Sequence, residues 1–400
     1  MKQPIEKINN LYLEQIKNNE TEKYGSLKQL TIEDKLPKVK GQVNILELGV
    51  GGGETMQALK DQLHDRKNLN IIGLDSALLF TEHFRKKTDS DAVVADASRL
   101  PFQECSLSAI NASAILHEVS SYGVNDGKEG SVFGQNAIIQ TLNEVKRCLA
   151  ENGVFVYRDI ACPNDRLIMK LVVYERKSWQ TFLDLYLPIL HEASKDVCPD
   201  ITNDFKLNRG ERKDEVTATA QMHREIQRHY ITFRDFVRKK IFPKIGIEVA
   251  KERWEDKESG NKIHSIILSG QALKNYIRFK GLGNQDSSIK SLPVELQSDE
   301  YDDFTDSIIE EFIVNDNFNI NDEWFRREGR EVYTYLSVKE LKEMANKKHT
   351  LADGTSGHLE VLNEKLLPRN YYQRYLKRVI NNPEYEGKRV IDFINKKYGE

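Results

Sequence analysis

Short apolar segments alternate with segments of helical periodicity between residues 43 and 157. Five segments have the length and apolar content of buried strands: Val43–Leu48, Asn70–Leu74, Ala92–Ala95, Ala109–Ala112 and Val154–Tyr157. Three segments between them carry apolar residues at helical spacing: Thr55–His64, Ala77–Lys87 and Gly134–Leu149. This alternation predicts an α/β fold in which helices cover both faces of a mostly parallel sheet.

The pattern changes after Arg158. Residues 165–229 carry apolar residues at helical intervals and predict a helical insertion that forms a lid over the site. A further helix is predicted over Thr232–Phe242, with Thr232 as its N-cap. Residues 247–254 and 262–268 predict two antiparallel strands that complete the sheet.

The chain is therefore expected to have three parts. Residues 1–40 form an N-terminal helical segment, and residues 41–270 form the α/β domain with its insertion. A polar stretch rich in Gly, Ser, Asp and Asn then opens the remainder, 281–400, which predicts a mostly helical accessory region.

Composition narrows the class of protein. The chain has 400 residues and a net charge of −3, so charge alone indicates neither a nucleic-acid nor a membrane partner. No apolar run approaches the ~20 residues of a membrane span, and the polar N-terminus lacks a signal peptide. We therefore expect a cytoplasmic protein without a membrane partner. The four cysteines are widely spread and form no CxxC pair, so no metal site is predicted.

A glycine-rich segment follows the first predicted strand and leads into a helix. Glycines at Gly49, Gly51 and Gly53 allow a tight turn and close approach of the backbone to a ligand. The dinucleotide fingerprint needs a glycine at its sixth position, where this chain has Glu54. The carboxylate of Glu47, two residues before the first glycine, suits a ligand with an amino group and a cationic centre better than a pyrophosphate.

Polar or small residues also end the next three strands. Asp75 ends the second strand, where a carboxylate can accept hydrogen bonds from both ribose hydroxyls. Asp96 ends the third strand, where a carboxylate can accept from an adenine amino group. Ser113 and its small neighbours leave the fourth strand and let a ligand pass close by. Ligands of open α/β sheets bind at this carboxyl edge.

With these motifs in order, residues 41–160 and 232–270 resemble the class I S-adenosylmethionine-dependent methyltransferases. The resemblance implies a Rossmann-like, mostly parallel seven-stranded sheet, S-adenosyl-L-methionine as cofactor and methyl transfer as activity. Where the family usually has Pro-Gly-Gly before its fifth strand, this chain has Glu151-Asn152-Gly153. The cofactor-binding residues implied by position are Glu47, Gly49, Gly51, Gly53, Asp75, Ser76, Asp96, Ala97 and Ser113.

Catalytic groups are expected just after the fourth and fifth strands, near the methyl group. His117 is a candidate general base because an unperturbed imidazole titrates near neutral pH. Asp159 is the second catalytic candidate, and Glu118 and Tyr122 are candidate substrate-binding residues. The alternative for His117 is a packing or helix-capping role, in which case positioning alone accelerates the reaction.

The sequence indicates the methyl acceptor less clearly than the cofactor. The large insertion favours a small-molecule or peptide acceptor, since helical caps enclose compact substrates. Basic and aromatic residues alternate over residues 369–378, a pattern that also suits RNA, although an ordinary amphipathic helix with its basic residues outside is the favoured explanation. An RNA methyltransferase and a non-catalytic cofactor-binding module are therefore the alternatives.

Overall fold

The computed structural model of the protein describes most of the chain. The described residues are 20–125, 131–162, 164–196, 207–256, 261–282, 289–313, 324, 328–366, 376, 379–380 and 388–398. The chain packs as two compact units. The first contains Met1–Asn164, Thr334–Leu367 and Glu386–Glu400, and the second contains Asp165–Tyr333 and Pro368–Tyr385.

The secondary structure is mixed α/β, as predicted. The strands are β1 Val43–Leu48, β2 Leu69–Asp75, β3 Asp91–Val94, β4 Leu107–Ser113, β5 Val124–Asn125, β6 Ser131–Val132, β7 Leu149–Ile160, β8 Met169–Tyr174, β9 Leu207–Arg209, β10 Glu215–Thr219, β11 Ile247–Asp256, β12 Asn261–Ser269, β13 Ser291–Gln297, β14 His349–Thr350, β15 Ser356–Leu366, β16 Val379–Ile380 and β17 Lys388–Tyr398. The α-helices are α1 Glu20–Ile32, α2 Glu54–Gln62, α3 Leu78–Thr88, α4 Leu116–Tyr122, α5 Gly134–Cys148, α6 Lys177–Asp196, α7 Ala220–Phe236, α8 Phe242–Ile245, α9 Gly270–Phe279, α10 Ser298–Phe312 and α11 Val338–Asn346.

The first unit is built on an eight-stranded sheet of order β14-β15-β17-β7-β4-β1-β2-β3. The five strands predicted from residues 43–157 are parallel neighbours in this sheet. Their apolar side chains are buried because helices pack on the sheet. On one face, Tyr24 and Leu27 of α1 join Ile45 and Val156 in the core. The prediction of a largely parallel central sheet is confirmed.

The strands that extend this sheet beyond β7 differ from those predicted. β17 pairs antiparallel with β7, and β15 pairs antiparallel with β17. The expectation that residues 247–254 and 262–268 complete the sheet is wrong: they do form an antiparallel pair, but in a separate three-stranded sheet with β13. The sheet thus has eight strands, and residues 281–400 contribute two long strands to it.

Side-chain packing explains why β17 is the partner of β7. Phe393 of β17 stacks on Phe155 of β7 with their ring centroids 6.0 Å apart. Nδ2 of Asn395 donates to the carbonyl oxygen of Leu149 at 3.0 Å. Apolar pattern along the chain predicts that a segment is a strand, whereas cross-strand contacts of this kind select its neighbour.

Residues 165–229, predicted to be a helical insertion, are only partly helical: α6 and the first part of α7 lie there, but so do three strands. β8, β9 and β10 lie in this interval and form an antiparallel sheet that β16 also joins. The expected helix start at Thr232 is also wrong. α7 begins at Ala220, and the side chain of Thr219 accepts a hydrogen bond from the backbone N–H of Met222. Thr219 is both the last residue of β10 and the N-cap of α7. The helix start was misplaced because the sequence pattern did not predict β10.

A buried ionic network holds α7 against α10 within the second unit. Asp306 accepts hydrogen bonds from the guanidinium groups of Arg176 and Arg234 and from the hydroxyl of Tyr230. Asp302 accepts from Arg238 at 2.6 Å. The acidic stretch that contains α10 is thus partly neutralised by arginines of its own unit.

Within the described residues, no helix combines the length and hydropathy needed to cross a membrane.

Candidate functional site

The carboxyl ends of the five parallel strands meet at one edge of the sheet. Leu48 of β1 lies opposite Leu74 of β2 on one side and Ala112 of β4 on the other. Asp75 lies opposite Val94 at the end of β3. This register brings the residues that follow each strand together, as the sequence analysis expected.

The glycine-rich loop after β1 has a backbone that disfavours side chains. Gly49, Gly51 and Gly53 have φ values of 75°, 49° and 77°, in the left-handed region that glycine adopts readily. A Cβ atom on Gly49 would lie 2.6 Å from Cδ1 of Ile115, so the side chain of Ile115 leaves no space for a side chain at position 49. Gly53 precedes α2 and makes no side-chain cap, which leaves first-turn N–H groups of the helix without a capping side chain.

Glu47 lies in β1 and is almost fully buried. Its Oε2 accepts a hydrogen bond of 2.7 Å from Nδ2 of Asn111, the residue opposite it on β4. Burial raises the pKa of the Glu47 carboxyl to about 8, against the opposing effect of the Asn111 hydrogen bond. Oδ1 of Asn111 is also buried and has no hydrogen-bond partner in the described part of the chain. The two side chains thus form a buried group of acceptors next to the glycine loop.

The two aspartates at the ends of β2 and β3 are oriented by backbone groups. The carboxylate of Asp75 accepts from the N–H of Ala77 at 2.9 Å, while burial raises its pKa above the usual value. Asp96 accepts from both the N–H and the hydroxyl of Ser98, each at 2.8 Å. Of the two neighbouring candidates, Ser76 is exposed and Ala97 is half-buried.

The chain turns sharply where it leaves β4. Ala114 has a φ of 58°, an unusual conformation for a residue with a side chain. Its N–H donates to the carbonyl oxygen of Arg158 at 2.7 Å, which stabilises the turn. Ser113, just before it, lies 3.4 Å from the guanidinium of the same arginine. The turn directs the chain into α4, where His117 lies.

His117 and Asp159 form a buried pair. Nδ1 of His117 lies 3.0 Å from Oδ2 of Asp159, and the backbone N–H of His117 donates to the same oxygen at 3.2 Å. Burial alone would raise the pKa of Asp159, but the interactions with His117 outweigh it and hold that pKa below its usual value. The carboxylate is therefore ionised at neutral pH and can only accept, so Nδ1 of His117 carries the proton of the hydrogen bond between the two side chains.

The other two candidates on α4 have different surroundings. Glu118 is half-buried, whereas Tyr122 is the last residue of the helix and is 45% exposed. Residues four apart share a helix face, so these two lie on one side of α4. Their role in substrate binding stays a prediction. Within the described part of the chain, no cluster of three or more candidate ligands could hold a metal ion.

Two residues of this site were missed by sequence reasoning. Asn111 carries a recognisable signal, because it is a polar residue within the apolar strand β4. Tyr335 donates its hydroxyl to Oδ2 of Asp159 at 3.2 Å and carries no such signal. It lies far along the chain, in a stretch with no motif of its own.

Comparisons with known proteins bear on this arrangement. Residues 46–157 match the family model described as a methyltransferase domain. No similar protein was found among the curated sequences.

Solved structures give further, weaker similarities. The PH0226 protein from Pyrococcus horikoshii OT3 is 10% identical over 94% of this chain and 89% of its own, with a TM-score of 0.33. The geranyl diphosphate C-methyltransferase from Streptomyces coelicolor A3(2), a complex with S-adenosyl-L-homocysteine, is 14% identical over 34% of this chain and 45% of its own, with a TM-score of 0.25. The CMeT domain of citrinin polyketide synthase is 18% identical over 34% of this chain and 33% of its own, with a TM-score of 0.27.

Proposed function

We propose that this chain, whose residues 46–157 form a methyltransferase domain of the class I superfamily, transfers the methyl group of S-adenosyl-L-methionine to a small molecule or a peptide. One observation carries the proposal. Glu47 is the last residue but one of β1, Asp75 ends β2 and Asp96 follows β3. The His117–Asp159 pair lies at the carboxyl ends of the neighbouring strands β4 and β7. A cofactor bound by the first three would lie beside the pair.

The residues present fit this cofactor. The buried acceptors Glu47 and Asn111, one of whose oxygens has no partner in the described chain, match an ammonium group that needs several acceptors. N–H groups in the first turn of α2 match a carboxylate. Asp75 has the position and acceptor chemistry for ribose hydroxyls, and Asp96 for an adenine amino group. Gly49 and Ser113 are small residues and leave space for the cofactor between these acceptors.

When bound, S-adenosylmethionine supplies a methyl group on a positively charged sulfur. His117 accepts the proton that the methyl acceptor loses, and Asp159 holds the imidazole in the tautomer that makes this possible. Asp159 then stabilises the imidazolium by charge. Burial of the pair excludes water and strengthens that interaction.

We favour a small-molecule or peptide acceptor because a large second unit interrupts the chain directly after β7 and its catalytic aspartate. The RNA hypothesis depends on the basic residues at 369–378, which lie outside the described residues apart from 376. No observation on the described residues favours it.

Calorimetry with the purified full-length chain tests the cofactor site. We expect S-adenosylmethionine to bind, and Asp75→Asn to weaken binding by about 1–3 kcal/mol because two ribose hydroxyls lose their charged acceptor. Asp91→Asn is the matched control, since Asp91 is exposed and starts β3 at the opposite edge of the sheet. Absence of binding to a folded sample at millimolar ligand, or equal weakening by both variants, would refute the assignment.

A second experiment identifies the acceptor. The chain is incubated with labelled S-adenosylmethionine and with cell extract separated into RNA, protein and metabolite fractions. We expect label to enter the metabolite or peptide fraction and to depend on His117. Label found only in RNA would overturn the acceptor class while leaving the cofactor assignment intact.

A further inference from the structure

The segment that follows the second unit returns to the end of β7. The backbone N–H of Cys162 donates to the carbonyl oxygen of Leu336 at 2.9 Å, and Cys162 forms a parallel bridge with Ser337. Ser337 also caps α11 through a capping box with Glu340. These contacts are made by the two residues that directly follow Tyr335, so they fix the backbone next to it.

The hydroxyl of Tyr335 forms part of a buried chain of hydrogen bonds. It donates its proton to Oδ2 of Asp159 at 3.2 Å, and the hydroxyl of Tyr157 lies 2.8 Å from it. A hydroxyl has one proton to donate, so Tyr157 must be the donor to Tyr335. The order is Tyr157 to Tyr335 to Asp159, and Nδ1 of His117 donates to the same carboxylate. All four residues are buried.

We propose that Tyr335 is a positioning residue that orients Asp159 toward His117 and sets the basicity of that imidazole. The inference rests on the proposed function only where it treats His117 as the base. It assigns to the region beyond residue 333 a part in the site itself, in addition to the three strands β14, β15 and β17 that it contributes to the sheet.

The physical reason is competition for one carboxylate. Oδ2 of Asp159 accepts from both Tyr335 and His117, and Oδ1 accepts from the N–H of Ile160 at 2.8 Å. Each donor withdraws negative charge from the oxygens that face the imidazole. Removal of the tyrosine hydroxyl therefore leaves a carboxylate that stabilises the imidazolium more strongly, and the pKa of His117 rises.

Other charged groups around the pair stay constant in this comparison. Arg389 of β17 lies opposite Asp159, and the charge of Lys388 acts on the same carboxylate. Arg158 precedes Asp159 on β7, and Glu118 follows His117 on α4. None of them is changed in the variants below, so they contribute equally to each titration.

The test is a nitrogen-15 NMR titration of His117 in the labelled full-length chain, which needs no methyl acceptor. Tyr335→Phe keeps the ring and removes only the hydroxyl, and we expect it to raise the pKa of His117 by about half a unit to one unit. Asp159→Asn removes the charge and should lower that pKa. Tyr157→Phe removes the donor to Tyr335, which makes Tyr335 a weaker donor to Asp159, and should give a smaller rise.

Opposite shifts in Tyr335→Phe and Asp159→Asn would establish the positioning role, because a purely structural tyrosine does not predict them. An unchanged or lowered pKa of His117 in Tyr335→Phe overturns the inference, provided that Asp159→Asn shifts the same pKa and so shows that the titration responds to the carboxylate. Should Tyr335→Phe unfold, the rise expected in Tyr157→Phe provides the same decision. Calorimetry of S-adenosylmethionine on the same variants separates this result from failure of the proposed function, since cofactor binding does not require the tyrosine.

Discussion

Binding of the cofactor should release a proton, because Glu47 is buried beside the expected position of the cofactor ammonium group. The pKa of this carboxyl is raised from 4.5 to about 8 in the folded chain. About nine-tenths of the Glu47 carboxyls are therefore protonated at pH 7. An ammonium group placed against the Glu47–Asn111 acceptors favours the ionised carboxylate. We expect the release of about 0.9 proton on binding at pH 7.

The same reasoning fixes the sign of two pH effects. Cofactor affinity should rise between pH 6 and pH 7, approaching tenfold, because more of Glu47 is ionised before binding. The free energy of unfolding should fall over the same pH interval. A carboxyl whose folded pKa lies above its unfolded value binds more protons when folded, so its contribution falls by about 1.4 kcal/mol per pH unit in this interval. At pH 7 the raised pKa of Glu47 lowers the free energy of unfolding by about 3 kcal/mol, relative to a low pH at which the carboxyl is protonated in both the folded and the unfolded chain.

Glu47→Gln separates these effects from all other titrations. The amide keeps an acceptor oxygen for Asn111 but cannot ionise, so the variant should gain stability relative to the native chain as pH rises from 6 to 7. Its cofactor affinity should fall and lose most of its dependence on pH. Calorimetry in buffers of different ionisation enthalpy counts the protons, and urea unfolding at both pH values gives the stabilities. No proton release, together with equal pH dependence in the native chain and the variant, would refute the reasoning.

Three further outcomes follow from the contacts. His117→Ala should lower turnover by on the order of 10²–10⁴ while calorimetry finds cofactor affinity little changed; equal turnover would leave positioning alone as the mechanism. A chain ending at residue 333 lacks β14, β15 and β17, so circular dichroism should find that the melting transition of the first unit is lost while the second unit, which keeps most of its residues, still melts; two native-like transitions would contradict the sheet topology. Asp306→Asn leaves Arg234 buried without its full charge partner and should cost about 3–5 kcal/mol in urea unfolding. A loss below 1 kcal/mol would mean that the network contributes little.

The parallel strands and their common edge could be predicted because continuous apolar segments alternate with amphipathic helices over residues 43–157. Glu47, Asp75 and Asp96 followed from those strand ends. The partners of β7 could not be predicted, since β11 and β12 have strand patterns as clear as that of β17. Their places in separate sheets depend on side-chain contacts between segments far apart in the chain.

Some contacts of the candidate site could not be predicted either, because they join residues that are far apart in the chain. His117 and Asp159 were separate candidates in the sequence, and the pairing of β4 with β7 together with the turn at Ala114 brings them within hydrogen-bond distance. Tyr335 reaches the same carboxylate from a segment more than 170 residues away in the chain. A tyrosine without a surrounding motif gives no sign of such a contact.

Methyl transfer itself is the most direct test of the central claim. The full-length chain is incubated with S-adenosylmethionine labelled on its methyl group and with fractionated cell extract, and both labelled product and S-adenosylhomocysteine are quantified. We expect equal amounts of the two, strongly reduced in His117→Ala and in Asp75→Asn at low cofactor concentration. Formation of neither product by a folded chain that binds the cofactor would exclude methyl transfer to the fractions tested and favour a non-catalytic binding module.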